Sequence, residues 1–126
     1  EARLRMEIVL HRIHESHAPP GRRVLVDRLW PRGISKQEAE LDDWPKEIAP
    51  SSELRRWFAH DPRKWGEFRR RYLSELSEKK DLARKILADA REAVRLVSRY
   101  GAKHEEHNNA RVLREYLGKL WVSRPY

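Results

Sequence analysis

The sequence predicts a small α/β fold: an at least partly parallel sheet flanked by helices within a single domain. Three observations carry this. Short runs rich in β-branched residues recur at residues 6–13 (MEIVLHRI), 23–30 (RVLVDRLW) and 93–100 (AVRLVSRY). Between the second and third lies a long stretch of helical period, suited to a crossover between parallel strands. At 126 residues the chain fits one core, which buries roughly two-thirds of the surface exposed on unfolding.

The elements follow in order. Residues 6–13 alternate imperfectly and form the first strand, and Pro19, Pro20 and Gly21 then turn the chain. Residues 23–30 form the second, whose Val24-Leu25-Val26 centre suits a strand covered on both faces and which stops at Pro31, with Gly33 just beyond. A short helical turn is expected over residues 36–40, with Leu41, Trp44 and Ile48 pinning an irregular segment to the body. Ser51 or Ser52 caps the next helix, through Leu54, Trp57 and Phe58. Asp61 followed by Pro62 opens a further helix with Trp65, Phe68, Tyr72 and Leu76 on one face. Ser77 is available to cap another, carrying Leu82, Ile86, Leu87 and Ala90. Residues 93–100 return to strand, and Arg95, Ser98 and Arg99 suggest either an edge position or a polar-lined one. Gly101 ends it, and a last helix over residues 105–120 puts Ala110, Leu113, Leu117 and Leu120 on one stripe. The core spans about residues 6–120, leaving a tail at 121–126.

Charged residues make up 38% of the chain, but five Trp and regular apolar spacing argue for a folded body under a charged skin. The absence of Cys excludes disulfides, zinc–thiolate clusters and thiol nucleophiles. No apolar run approaches the length of a membrane span, so no membrane association and a cytosolic location are expected. Asn108, Asn109 and Gln37 are the only side-chain amides, which leans toward a thermophile's usage. The net charge of +8 favours polyanions, whether nucleic acid, anionic membrane or phosphorylated metabolite.

In open α/β sheets ligands settle beyond the carboxyl ends of the strands. Two loops qualify. The first, residues 27–33, joins Asp27, Arg28, Trp30 and Arg32 to a rigid Pro31 and to Gly33, a combination able to hold an oxyanion through bidentate arginine contacts. The plainer alternative pairs Arg28 with Asp27 or another carboxylate and leaves Trp30 to pack. The second, residues 100–109, brings Lys103, His107 and Asn108 to a helix start, where His107 can serve as acid or base near neutral pH. Alternatively His107 or Asn108 caps the helix or satisfies buried backbone. His11, His14 and His17 recur every three residues, but strand geometry turns the first two to opposite sides, and no metal site is assigned.

The run at residues 23–33 (RVLVDRLWPRG) resembles the signature of the YeaO-like family, domain of unknown function 488. Trp44, Lys46, Pro50, Ser51, Leu54, Arg55, Phe58, Phe68, Tyr72 and residues 100–110 (YGAKHEEHNNA) extend the likeness from Glu7 to about Leu120. The resemblance implies a small cytosolic α/β protein and no particular reaction. More distant members of the wider group carry a Cys-His-Arg-like motif near the position of residues 107–109. With no Cys here, a thiol mechanism cannot carry over. The family's last strand is also more apolar than residues 94–100, and the C-terminal stretch beyond Leu120 falls outside the likeness, as a docking tail or dimer contact.

The functional expectation is a strand-end pocket for a small phosphorylated or nucleotide-like anion, with or without turnover. In it Arg28, Arg32 and Lys103 hold the anion, Trp30 or Tyr100 stacks on a base, Asn108 contributes polar contacts, His107 is the acid or base, and Asp27 orients a neighbour. The cofactor and the oligomeric state are left open. The rival is a non-catalytic nucleic-acid-binding module using the basic surface, and a third possibility is a protein-interaction domain using Trp121 and Tyr126.

Overall fold

The computed structural model describes residues 6–122. Its sheet has three strands, β1 (Glu7–Arg12), β2 (Arg22–Leu25) and β3 (Arg95–Tyr100), in the order β1-β3-β2, with both pairings parallel. The long connection from β2 to β3 carries α1 (Lys36–Ala39), α2 (Ser52–Phe58), α3 (Trp65–Ser77) and α4 (Lys80–Ala90), and so supplies the expected crossover. The last helix, α5 (Asn109–Val122), follows β3.

Strand alternation sorts the two faces. Val24 and Leu96, with the partly buried Met6, Ile8 and Leu10, join the main core against the large helices. Leu25 and Ile13 point the other way, into a smaller cluster with Ala39, covered by Trp30, Ile34, Leu41 and Trp44. The main core includes Phe68, Tyr72 and Leu76 of α3 and Leu113 and Leu117 of α5, as their helical spacing implies.

Several boundaries differ from the sequence expectation, each for a local reason. β2 ends at Leu25 rather than at Trp30, because side chains replace the ladder beyond it. Val26 still donates to Arg99 O, but the Asp27 carboxylate then turns to Gly101, and Trp30 Nε1 donates to Ile34 O at 2.6 Å. β3 is the central strand, not an edge, and the polar lining holds: Ser98 and Arg99 are buried. Arg99 is tolerated there because its guanidinium donates to Ala39 O and Ile13 O, carbonyls that the irregular layer leaves free. Asp61 caps a single 3-10 turn, Pro62–Lys64, from which α3 continues. Ser77 caps nothing, since its hydroxyl donates back to Ser74 O while α4 starts after Lys79. The final helix begins at Asn109 rather than residue 105 and runs through Val122, so Trp121 is helical and packs against the main core. Tyr126 lies outside the described residues.

Candidate functional site

The two strand-end loops meet where β2 and β3 end. Asp27 is the joint. One carboxylate oxygen accepts the Gly101 N–H at 2.8 Å, and the other accepts Asn109 Nδ2 at 3.1 Å. The fit at Gly101 is close: a Cβ there would lie 3.1 Å from Asp27 Oδ2, so a side chain would crowd the hydrogen bond. Burial pushes the Asp27 carboxyl above its ordinary range, while the two hydrogen bonds, and then the charges of His60 and His14, pull it partly back. Asn109 also donates to Val26 O, and Trp44 Nε1 donates to Asp27 O, so both ends of the residue are fixed.

Above this joint opens a cavity of about 610 Å³, within the range of small-molecule sites. Asp27, Arg28, Trp30, Arg32, Lys103, His107 and Asn108 all line it. Tyr100 does not; it is buried beneath α5. Sequence reasoning missed Arg12, His14, Arg55, Arg56, His60 and Asn109 on the same walls. Arg55 and Arg56 come from the exposed side of α2, and the pairing of that helix with the loops had no local signal. His60 projects from a turn in which both Ala59 and His60 have positive φ, at 47° and 57°.

The lining residues differ in how far they are committed. Arg28 is fully engaged by its surroundings. Its guanidinium donates to Pro50 O, Ala49 O and Glu47 Oε1, so its carboxylate partner is Glu47 and not Asp27. These bonds belong to a wider clamp on residues 46–50, in which Tyr72 OH donates to Ile48 O and Lys79 Nζ to Glu47 O. Trp30 lies edge-on to Trp44 at 5.3 Å. Asn108 is buried and donates to His104 O and Glu105 O while accepting from the Arg111 N–H, as a cap for the start of α5. Gly33 has φ 75° with open space around it, so it serves a left-handed turn rather than a close approach.

By contrast, Arg32, Arg55, Arg56 and Lys103 are exposed, and their side chains have no hydrogen-bond or ion-pair partner among the described residues. His107 stands in a row of rings, 4.8 Å from Trp65 and 4.6 Å from His104, with its Nδ1 buried and unbonded. It shares no hydrogen bond with Asp27. His14 Nε2 meets Arg32 O at 3.1 Å, which ties the first loop to the end of β1. Among the described residues no group of three or more His, Asp or Glu is arranged to hold a metal ion, and no helix is long and apolar enough to cross a membrane.

The family model described as the inactive DUF488-N3 subclade matches residues 7–124. The chain belongs to the YeaO-like DUF488 family. Among DUF488 relatives, it is 40% identical to the Escherichia coli protein YeaO over 116 residues, 91% of this chain and all of that one. It is 39% identical to uncharacterized proteins of Mycobacterium tuberculosis and Mycobacterium bovis over 107 residues, 84% of this chain and 89% of each of theirs. No solved structure matches this DUF488 chain significantly.

Proposed function

We propose that this protein binds a small phosphorylated or nucleotide-like anion in the strand-end cavity, and binds it without turning it over. The observation that carries the reading is electrostatic. Arg12, Arg28, Arg32, Arg55, Arg56 and Lys103 surround a single space in which Asp27 is the carboxylate of the lining. Cations gathered around a partly enclosed cleft focus a positive field and favour an anion there. Arg32, Arg55, Arg56 and Lys103 are the direct ligands in this reading, since their donors are uncommitted. Arg28 holds the floor, and Trp30, Phe58 and Pro31 give an apolar wall for a base or sugar. Asn108 stays a cap. His107 forms part of the wall.

Absence of turnover is favoured by the subclade description and by the geometry: Asp27 is tied to Gly101 and Asn109, and His107 is held in its ring stack, so no acid–base pair is assembled.

The test is thermal unfolding against phosphate, sulfate and mononucleotides. Ligand at one hundred times its dissociation constant stabilises by about 2.7 kcal/mol, several degrees for a domain of this size. A small anion should raise Tm of the wild type, with the rise lost in Arg32→Ala and reduced in His107→Ala. Equal shifts in all three proteins would end this reading.

A further inference from the structure

We propose that β1 is a self-association edge, pairing antiparallel with β1 of a second copy of this chain about a two-fold axis at Val9. In the parallel ladder the Glu7 N–H donates to Val94 O at 2.9 Å and the Ile13 N–H to Tyr100 O at 2.7 Å, so odd-numbered backbone groups face β3. The N–H and C=O groups of Ile8 and Leu10 therefore point outward, and among the described residues nothing pairs with them. The opposite edge of the sheet is closed: Leu25 N–H donates to Asp43 O, and Asp42 N–H to Arg23 O. Only β1 lies open.

Edge strands are ordinarily blunted by Pro, a bulge or charged side chains, and β1 (EIVLHR) has no Pro or bulge and carries its charges only at its ends, Glu7 and Arg12. Instead it is self-complementary. Centred on Val9, antiparallel pairing sets Ile8 opposite Leu10 of the second copy and Leu10 opposite its Ile8. These are the outward-facing residues, and each pair exchanges two backbone hydrogen bonds. On the other face Val9 meets Val9, and Glu7, which pairs with Arg95 of its own chain, meets His11. A shift to a Leu10 centre would set Ile8 against Arg12, and a shift to Ile8 would set Glu7 against Val9. Over residues 7–11, only the Val9 register sets apolar residues opposite apolar ones and polar opposite polar. A groove of about 500 Å³ runs beside β1, rimmed by Arg111 and Arg114 of α5, and leaves room for the second strand.

Each chain carries a net charge of +8, so long-range repulsion opposes the pair and salt relieves it. Sedimentation of the wild type over roughly a hundredfold range of concentration should show a rise to twice the monomer mass, more readily at higher salt. Val9→Lys brings two ammonium groups together at the axis and should stay monomeric. Amide exchange reports the same event without a variant: Ile8 and Leu10 should gain protection as wild-type concentration rises. Val9 and His11, bonded to β3, should be protected throughout and in Val9→Lys, which shows that the variant is folded. A wild type monomeric at every concentration, a dimer indifferent to Val9→Lys, or a dimer whose Ile8 and Leu10 amides exchange as in the monomer would each overturn the proposal. Anion-induced stabilisation by the cavity is expected to be unchanged in Val9→Lys.

Discussion

At Asp27 the chain places an ionisable group where burial opposes its charge and two donors partly restore it. The folded carboxyl holds its proton more tightly than the unfolded one. Its contribution to stability is therefore full below the unfolded pKa and lost as pH rises through the raised folded pKa. Asp27→Asn lacks this dependence, while every other carboxylate is common to both proteins. In urea unfolding, the stability difference between wild type and Asp27→Asn should favour wild type most at acid pH. It should shrink from just below the ordinary aspartate range until the folded group is ionised, then level off. A difference independent of pH would mean that Asp27 titrates like an exposed residue. The same residue shows how a strand-end motif can be legible while the roles inside it are not. The run of Asp27, Arg28, Trp30 and Arg32 marked the place, but the partner of Arg28 is the carbonyl-rich turn at residues 47–50, which sequence spacing could not bring near.

Elements in this fold are held at their ends by neighbours. Ser51 caps α2 by accepting the Leu54 N–H, and Glu75 of α3 clasps Ser51 in turn, accepting from its N–H at 2.8 Å and its hydroxyl at 2.6 Å. Ser51→Ala removes the cap and one acceptor's partner. The expected loss is about 1–2 kcal/mol in chemical unfolding, and an unchanged midpoint would show that the clasp is not formed in solution. Of this arrangement the sequence disclosed the cap, the apolar stripes of α3 and α5 and the three strands, because each is written in local period and turn chemistry. It concealed the length of β2 and the central place of β3, because these depend on partners dozens of residues away: Gly101 for Asp27, and Ala39 for Arg99. The start of α5 was misplaced for a similar reason. Residues 105–108 have suitable composition, but Asn108 bonds back to His104 and Glu105 and holds them in a turn.

On the scale of the whole molecule the net charge of +8 acts in any encounter with a polyanion, whatever the cavity does. The two contributions separate by salt. Binding of a short single-stranded oligonucleotide should weaken linearly with log salt, and replacing one phosphate-contacting residue, as in Arg32→Ala, should reduce the slope by about one at most. A mononucleotide held by the cavity should lose far less on the same titration and nearly everything in the variant. Strong oligonucleotide binding in wild type and variant alike, with no mononucleotide effect, would make the basic surface the functional one.

The order β1-β3-β2 also has a meaning in time. Strands β1 and β2 leave the ribosome before β3 and never touch each other; each bonds to β3, which ends at Tyr100. Until then the emerging chain carries two ladders' worth of unanswered backbone, and helices α2, α3 and α4 have no finished sheet on which to settle. When β3 arrives it joins both strands at once, and Arg99 draws Ile13 and Ala39 onto the far face in the same act. Neither pairing of the sheet can therefore be completed until a strand encoded well after the other two has been made.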